Sequence, residues 1–339
     1  MLKLTLALNL ILATAYLFPH VSAASRIRPS AGSVIVRAGT TTPGEFQTVS
    51  GAVKSLPNDN SPTTIFIYPG TYTEQVVITR PGPLTIFGYT KNTKSYKSNT
   101  VTIQYGLSAN TSGSDDASAT LRITKANFTM YNVIVSNTFG RGSQALALSQ
   151  SGDRAGFYAC SFFGFQDTLR AERGRQVYLG GYIEGAVDFI FGRQGKAYFE
   201  NNMIAVSSAG FITASGRSSD DDTSFVFNKN NISLTSTAES GTAGNVFLGR
   251  PWRNYAKVIF KNTIITSPLN PSVWSIWAPN QPNTDNIFFA DFNSTGSGIQ
   301  GAQRALFSTL LSAGQAGAYS ISSAVGSDYA TWVDTSYLS

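Results

Sequence analysis

The stretch that decides the fold runs from Gly164 to Gly192 and reads GFQDTLRAERGRQVYLGGYIEGAVDFIFG. It places two aspartates, Asp167 and Asp188, 21 residues apart, each among apolar and aromatic neighbours. A carboxylate in such surroundings is costly to bury unless it is paired or hydrogen-bonded. If this interval equals one coil of a parallel β-solenoid, the two residues lie on neighbouring rungs, about 4.8 Å apart in backbone. That arrangement suits an acid and a nucleophile better than a salt-bridged scaffold.

A weak internal repeat extends the solenoid prediction along the chain. An aromatic residue is followed four or five positions later by an apolar one, at intervals that indicate coils with rungs of constant length and one variable loop face. Asparagines recur at the expected bends, where this residue tolerates the left-handed conformation. The aromatic anchors are Tyr131, Tyr158, Tyr178, Phe199, Phe227 and Phe260, and the asparagines are Asn132, Asn201, Asn202, Asn230, Asn231 and Asn262. An ordinary β-sandwich with aromatic strands is the alternative.

The two ends of the chain predict caps for the solenoid. We expect a strand over residues 33–37, then an amphipathic helix that starts at residues 42–45 and stops at Pro57. One such helix ahead of many strands is typical of the cover over an open apolar cross-section. Residues 301–312 (GAQRALFSTLLS) look helical, and residues 329–338 predict a short terminal helix. No linker demands a second domain, so residues 24–339 are expected to form one domain.

The first 23 residues have the features of a secretory signal. Lys3 supplies the positive start, Leu4–Phe18 is mostly apolar, and residues 21–23 form a small-residue cleavage site. We expect this segment to be removed and the rest to be soluble and extracellular. The only histidine, His20, falls within it, which excludes Ser-His-Asp and Cys-His triads and HExxH zinc sites from the mature chain.

The amino-acid composition further restricts the class of protein. Abundant glycine and only 13% charged residues favour a β-rich protein with many turns. The single cysteine, Cys160, is expected to be a buried apolar residue. The net charge of +6 fits a polyanionic partner such as an acidic polysaccharide, and no dense Lys/Arg run points to nucleic acid. Residues 220–222, Asp-Asp-Asp, lack EF-hand spacing and predict a solvated loop, so we expect no metal and no cofactor.

The residues that could carry chemistry recur near the coil interval. Gln144 lies 23 residues before Asp167, so Gln144, Asp167 and Asp188 are expected to line three consecutive rungs. Gln166 directly precedes Asp167, and both can serve one site only if a bend breaks the strand alternation. Arg250 could bind both oxygens of a carboxylate. Taken by itself, its Arg-Pro-Trp motif is equally consistent with a salt bridge at the end of a strand.

Five segments, in order along nearly the whole mature chain, resemble the pectin methylesterases, or pectinesterases. They are 70–74 (GTYTE), 144–148 (QALAL), 164–169 (GFQDTL), 188–192 (DFIFG) and 248–252 (LGRPW). The resemblance implies a right-handed parallel β-helix that hydrolyses methyl esters on polygalacturonate and releases methanol. The layout, without a long N-terminal inhibitor-like region, resembles the fungal type, and a monomer is expected.

The resemblance also implies a role for each residue of the constellation. Asp188 would be the nucleophile, and Asp167 would be the general acid that later acts as the base. Gln144 and Gln166 would donate to the oxyanion, and Arg250 would orient Asp188. The chemistry agrees, because two nearby carboxylates do not both ionise cheaply and side-chain amides suit a developing oxyanion.

Four further residues are expected at the substrate. Trp252 and Trp274 resemble two tryptophans of the groove, and Phe191 resembles a groove wall. Arg170 stands where many relatives carry Tyr, which predicts a preference for unesterified, charged neighbouring sugars. Sequons at Asn110, Asn127, Asn231 and Asn293 make glycosylation possible in a eukaryotic host.

Three other interpretations compete with an esterase. A β-helical glycosidase acting on the same polymer also uses two carboxylates, about 5 to 5.5 Å apart in retaining enzymes. The paired glutamines, and the lack of the Asp-Asp and Gly-His-Gly clusters of polygalacturonases, argue against it. A calcium-dependent lyase would want an acidic metal cluster. A non-catalytic cell-wall-binding β-helix would not need two aspartates in buried contexts beside an arginine and two glutamines.

Overall fold

The computed structural model describes residues 24–338, and the predicted signal segment, residues 1–23, lies outside the described residues. Within that range every pairing between named strands is parallel. In chain order the strands are β1 (Val34–Val36), β2 (Glu45–Phe46), β3 (Thr63–Ile67), β4 (Gly70–Thr73), β5 (Val76–Ile78), β6 (Leu84–Gly88), β7 (Val101–Tyr105), β8 (Leu121–Ile123), β9 (Phe128–Tyr131), β10 (Ile134–Asn137), β11 (Leu148–Ser151), β12 (Ala155–Tyr158), β13 (Ser161–Phe163), β14 (Leu169–Leu179), β15 (Tyr182–Gly192), β16 (Gln194–Glu200), β17 (Met203–Ser215), β18 (Ser224–Asn228), β19 (Asn231–Leu234), β20 (Val246–Pro251), β21 (Lys257–Lys261), β22 (Ile264–Ile265), β23 (Phe288–Phe292) and β24 (Ser308–Leu310).

Short helical segments complete the described chain. The α-helices are α1 (Val49–Ser55), α2 (Ala109–Ser112), α3 (Asp115–Ser118), α4 (Ala313–Gly317) and α5 (Ile321–Val325), and single 3-10 turns cover Tyr96–Ser98, Tyr329–Thr331 and Thr335–Tyr337. In this range no helix is long and apolar enough to cross a membrane.

Three stacks of strands wind around one apolar core. The first stack holds β1, β3, β6, β9, β12, β14, β16, β18, β21, β23 and β24, with β2 beside β1. The second holds β4, β7, β10, β13, β15, β17, β19 and β22. The third holds β5, β8, β11, β14, β15, β17 and β20. Strands β14, β15 and β17 bend from one stack into another. The architecture is the expected parallel β-helix.

The 21-residue interval is one coil, as expected. Leu169 of β14 pairs with Ile190 of β15, and Gln166 forms an isolated parallel bridge with Val187. The two aspartates therefore belong to adjacent coils in the third stack.

The aromatic repeat is a ladder of rings inside the first stack. Its ring centroids are 4.2–4.9 Å apart and the planes lie within 9° of parallel. The ladder consists of Phe157, Tyr178, Phe199, Phe227 and Phe260. Tyr131 and Tyr158 were expected in the same row, but they stack 4.7 Å apart on the opposite face, against Tyr337. Adjacent strand residues face opposite sides, so the interior anchor of that coil is Phe157.

Five of the six asparagines lie between strands, whereas Asn231 is the first residue of β19. Asn132, Asn201 and Asn262 have positive φ of 51–57°, the left-handed conformation that this residue tolerates. Asn202 and Asn230 are buried and instead form a rung-to-rung hydrogen bond, with Asn202 Nδ2 donating to Asn230 Oδ1 over 3.0 Å.

Both predicted caps are shifted. Residues 45–46 pair with β1 as β2, and helix α1 begins only at Val49, after the N-cap Thr48. Residues 301–312 are not helical: Ser308–Leu310 forms β24, because the last coil offers its β23 edge as a partner. Helix formation starts after them, at α4, where Ser312 is the N-cap. The expected terminal helix over 329–338 is two separate 3-10 turns.

Candidate active site

A left-handed bend puts Gln166 and Asp167 into one site. Gln166 forms its bridge to Val187, and Asp167 then adopts φ 65° before β14 begins. One coil later Asp188 has φ 52°, at the point where the pairing of β15 shifts register between Val187 and Ile190. Positive φ is uncommon for a non-glycine residue and costs about 1–3 kcal/mol, so two such aspartates on adjacent coils are typical of a functional site.

The five predicted catalytic residues line one cavity of about 190 Å³. The cavity is open to the outside of the β-helix on the third stack. Its lining consists of Asp115, Gln144, Gln166, Asp167, Asp188, Phe191, Ala214, Arg250, Trp252 and Trp277.

Arg250 binds both carboxylate oxygens of Asp188. Its Nε donates to Asp188 Oδ1 over 2.9 Å, and its Nη2 donates to Oδ2 over 2.6 Å. The guanidinium lies between two rings, 4.0 Å from the Phe211 centroid and 4.2 Å from the Trp277 centroid. Its position in β20, paired with Ala214, places it over the aspartate. A planar, permanent cation held on both faces fixes the orientation of the carboxylate.

The two aspartates are unequal acids. Asp167 is buried, and this burial, the charge of Asp188 and that of Asp115 raise its pKa well above the ordinary value, while Arg250 and Arg170 oppose the rise. Burial also raises the pKa of Asp188, but here the hydrogen bonds from Arg250 directly oppose it. Two carboxylates in one cavity do not both ionise cheaply, and this arrangement favours a proton on Asp167 over one on Asp188.

The two glutamines present amide groups to the cavity from adjacent coils. The Gln166 carbonyl accepts from the Ala145 N–H over 3.1 Å, which ties the two coils together. The Ser143 hydroxyl donates to Gln144 Oε1 over 3.4 Å. Gln144 lies four residues before β11.

Aromatic rings form the cavity wall. Phe191 and Trp252 meet edge to face with centroids 6.2 Å apart. Gly216 makes room for Trp252, since a Cβ there would lie 2.4 Å from Trp252 Cε3. Phe191 and Trp252 both line the cavity.

The prediction for Trp274 is wrong. Its side chain is 1% exposed and stacks on Phe289 in the core, with centroids 4.5 Å apart. Trp277, three residues later, lines the cavity instead. The segment PSVWSIW contains both rings, and only the bridge of Trp274 to Gly249 decides which one turns inward.

Arg170 does not line the cavity, which contradicts its expected contact with neighbouring sugars. It is buried behind Phe191, with its guanidinium 6.0 Å from that ring, and its Nε donates to Glu172 over 3.1 Å. A third acidic residue of the cavity, Asp115, was not predicted from the sequence and reaches the cavity from the first turn of α3. No motif marks it, because it belongs to a connecting segment outside the coil repeat.

The remaining candidates are structural. Cys160 is buried, as expected, and burial raises the pKa of its thiol to about 12. Asp220 and Asp221 lie in an exposed loop as expected, but both form ion pairs with Arg217. Among residues 24–338, no group of three or more His, Cys, Asp or Glu is placed to hold a metal ion.

Comparisons with known proteins identify the family of this chain. The pectinesterase family model matches residues 33–328. The pectinesterase of Aspergillus aculeatus is 41% identical over 96% of this chain and 98% of its own length. That of Aspergillus niger is 41% identical over the full length of both chains. The crystal structure of the Aspergillus niger pectin methylesterase superposes with a TM-score of 0.85 and 36% identity, over 93% of this chain and 100% of that one. The chain belongs to the pectinesterase family.

Proposed function

We propose that this chain hydrolyses the C6 methyl esters of polygalacturonate, with Asp188 as nucleophile and Asp167 as general acid and base. The observation that carries the proposal is the bidentate contact of Arg250 with Asp188, beside a second carboxyl group, Asp167, whose pKa is raised. One carboxylate is kept charged and the other keeps a proton, which are the two states that acyl transfer requires.

The first step forms an acyl-enzyme. An Asp188 carboxylate oxygen attacks the ester carbonyl carbon, and the developing oxyanion accepts hydrogen bonds from the amides of Gln144 and Gln166. As the tetrahedral intermediate collapses, the C–O bond to the methoxy group breaks and Asp167 donates its proton, so methanol leaves. The products of this step are an anhydride on Asp188 and an ionised Asp167.

The second step restores the enzyme. Asp167, now a carboxylate, takes a proton from water while the hydroxide oxygen adds to the substrate acyl carbon of the anhydride. The bond to the Asp188 oxygen breaks, the galacturonic acid is released, and its proton passes to solvent. Asp188 is again ionised and Asp167 again protonated, so the cycle closes without an external cofactor.

Arg250 supports the assignment of the two roles. Its guanidinium faces Asp188 with two N–H groups and is itself held between Phe211 and Trp277. A residue fixed in this way is preorganised, which reduces the reorganisation needed in the transition state. Asp167 has burial and two negative neighbours instead, conditions that favour its protonated form.

The test is methanol release from highly methylated pectin, measured together with chain length. We expect the wild type to release methanol without shortening the polymer, and Asp188→Asn to lose methanol release. Asp222→Asn, a change of the same kind in the exposed loop, serves as the control and should keep full activity. Chain shortening without methanol would overturn the esterase proposal and favour a glycosidase.

We further propose that residues 1–23 direct secretion and that the remaining chain acts outside the cell as one domain and as a monomer. The exposure of Asn110, Asn127 and Asn293 supports glycosylation there, whereas Asn231 lies half-buried in β19. Intact-mass and glycopeptide analysis of the secreted protein tests both points. An N-terminus upstream of residue 24, or unmodified sequons after eukaryotic expression, would contradict them.

A further inference from the structure

A large cavity lies at the corner where the chain turns from the first stack into the second. It has a volume of about 400 Å³. Three parts of the chain line it: residues 94–97 between β6 and β7, the left-handed bends at Gly180 and Asn201, and residues 336–337 of the last 3-10 turn. We call it the corner cavity. It shares no lining residue with the catalytic cavity.

The second stack separates the corner cavity from the catalytic cavity. Along one coil, the chain passes from the bend at Gly180 through the first part of β15 to the bend at Asp188. A strand rises about 3.3 Å per residue, so this part of the coil spans roughly 20–25 Å. The surface in between holds a further cavity lined by Glu184 and Glu239, whose carboxyl groups disfavour a bound polyanion. The corner cavity is therefore a separate surface from the one around the reacting ester.

The ammonium group of Lys94 is fixed in the corner cavity. Its Nζ donates to the Ser336 carbonyl over 2.8 Å and to the Ser336 hydroxyl over 2.7 Å, and it lies 3.6 Å from the Tyr337 ring centroid. An ammonium group has three N–H donors, so one is left for a ligand. Because these contacts already fix the side chain, little of its freedom is lost when an anion binds.

The corner cavity contains positive charge without an acidic partner. No acidic residue lines it, and in the part of the chain that the structure describes neither Lys94 nor the exposed Lys97 forms an ion pair. Asp334 acts on Lys94 through its charge, but its carboxylate already accepts hydrogen bonds from the backbone N–H and the hydroxyl of Ser336. Partial burial outweighs that charge and lowers the pKa of Lys94. An anion in the cavity therefore meets two ammonium groups whose charge is not neutralised.

Tyr96 supplies an aromatic wall between the two lysines. Its ring packs against Tyr182 with centroids 5.5 Å apart, and Tyr182 packs in turn against Phe163 with centroids 5.0 Å apart. An aromatic ring offers an apolar surface to the C–H groups of a sugar, and the hydroxyl of the neighbouring Ser95 can donate and accept hydrogen bonds. Two cations, a ring and a hydroxyl group together suit an acidic sugar.

We propose that the corner cavity is a second, non-catalytic site that binds a carboxylate-bearing sugar of demethylated polygalacturonate through Lys94, Lys97 and Tyr96. The choice of this polymer rests on the proposed function, because ester hydrolysis creates its carboxylates. An ammonium group attracts a carboxylate and gains much less from a neutral methyl ester. The site attaches the enzyme to a stretch of polymer that is not being hydrolysed.

The effect of such a site depends on the length of the substrate. Exposed charge pairs are individually weak, so the corner cavity alone binds a short oligomer weakly. On a long polymer, one stretch occupies the catalytic cavity and a distant stretch reaches the corner cavity, and the second contact is then intramolecular. We expect its contribution to appear in the KM for long pectin and to be absent for oligomers too short to reach both cavities.

The first test locates the site without catalysis. Asp188→Asn is labelled with an amine-reactive ester in the presence of fully demethylated hexagalacturonate, and mass spectrometry measures the labelling of each lysine. We expect labelling of Lys97 to fall about three- to tenfold at saturation, and this protection to weaken with added salt. Lys54, an exposed lysine of α1, is the internal control, and fully methylated hexagalacturonate should protect neither lysine. Equal labelling of Lys97 with and without the demethylated oligomer would overturn the proposal.

The second test compares polymer and oligomer as substrates. Lys94→Gln/Lys97→Gln removes both charges of the corner cavity, and Arg28→Gln/Lys54→Gln removes two exposed charges elsewhere, so the two variants have the same net charge. On partly methylated pectin we expect KM to rise about three- to tenfold in the first variant alone, with kcat unchanged. On methylated tetragalacturonate both variants should match the wild type. An equal KM for pectin in both variants would contradict the proposal.

Lys97→Gln alone controls for any loosening of the last 3-10 turn, which Lys94 contacts through Ser336. It should raise the KM for pectin by a smaller factor and leave the melting temperature unchanged. Protection of Lys97 by the demethylated oligomer, without methanol release by the wild type, would contradict the proposed function and support the site. Methanol release with an unprotected Lys97 would support the esterase and remove the site.

Discussion

Arg250 and Asp188, 62 residues apart in sequence, meet in two parallel hydrogen bonds of 2.9 and 2.6 Å. The contact follows from the pairing of strands in successive coils of the β-helix. Strand β17 lies between β15 and β20 in the third stack and pairs Phe191 with Ala214 and Ala214 with Arg250. A cation on the outer side of one coil is thereby aimed at a carboxylate two coils away.

We predict that Arg250→Lys lowers kcat by about 100-fold, because an ammonium group is a point charge that does not fix both oxygens of Asp188. Steady-state methanol release measures this effect. Arg304→Lys is the matched control, since Arg304 also binds an aspartate bidentately, Asp291, with Nε–Oδ1 of 2.8 Å and Nη2–Oδ2 of 2.7 Å. It should lower stability and leave kcat unchanged. Equal losses of activity in both variants would remove the special role of Arg250.

Asp115→Asn should move the alkaline limb of the pH–rate profile to lower pH. The charge of Asp115 helps to raise the pKa of Asp167, together with burial and Asp188, against Arg250 and Arg170. The first step needs protonated Asp167, so activity falls as pH rises through its pKa, and removal of one negative neighbour lowers that pKa. Profiles of kcat/KM for wild type, Asp115→Asn and the exposed control Asp222→Asn measure the shift. A limb that moves to higher pH would contradict the assignment of Asp167 as the acid.

Asp167→Asn should be almost inactive and yet more stable than the wild type at neutral pH. The pKa of Asp167 is raised in the folded state, so the folded protein holds a proton that the unfolded chain has lost, and stability declines as pH rises above the ordinary aspartate value. An amide avoids this loss. We expect a gain of about 1–2 kcal/mol at neutral pH that shrinks as the pH falls toward the ordinary aspartate value, measured by urea unfolding. The left-handed backbone also suits asparagine, but that contribution does not vary with pH. A gain of equal size at neutral pH and at a pH near the ordinary aspartate value would argue against a raised pKa of Asp167.

Gly216→Ala should raise KM severalfold. The added Cβ would lie 2.4 Å from Trp252 Cε3 and 2.8 Å from Arg193 Cγ, so the indole wall must shift. Gly314→Ala is the control, because a Cβ there meets nothing within 4 Å. Michaelis constants on methylated pectin compare the two, and an unchanged KM for Gly216→Ala would show that Trp252 does not contact the polymer.

Substitutions of two tryptophans three residues apart should have different effects on stability and activity. Trp274→Ala removes a buried ring from the core and should cost about 3–5 kcal/mol of stability. Trp277→Ala removes one of the two rings that hold Arg250 and should lower kcat with a smaller loss of stability. Chemical unfolding and methanol release on both variants separate the effects. The reverse pattern would restore Trp274 as the cavity residue.

The features that depend on the coil period could be predicted from the sequence. The 21-residue interval places Asp167 and Asp188 on adjacent coils, and Gln144, Gln166 and Arg250 join them in one cavity. The bend at Asp167, needed for Gln166 to reach the same site, was an assumption that the positive φ bears out.

The wrong predictions concern residues whose position depends on the direction of a side chain or on pairing with a strand distant in sequence. Tyr158 and Phe157 are adjacent, and only the strand register tells which ring faces inward. Residues 308–310 have helical spacing in sequence but are drawn into β24 by the open edge of β23. Asp115 and Trp277 reach the cavity from connecting segments, whose course no periodic pattern encodes.

The most direct test of the nucleophile uses Asp167→Asn with an aryl ester of a galacturonate oligomer. An aryl leaving group departs without an acid, whereas the second step still needs the base that this variant lacks. We predict a burst of one equivalent of phenol per enzyme, with the oligomer attached covalently to Asp188, and no burst from Asp167→Asn/Asp188→Asn. Steady phenol release that persists in the double variant, without an adduct, would contradict attack by Asp188.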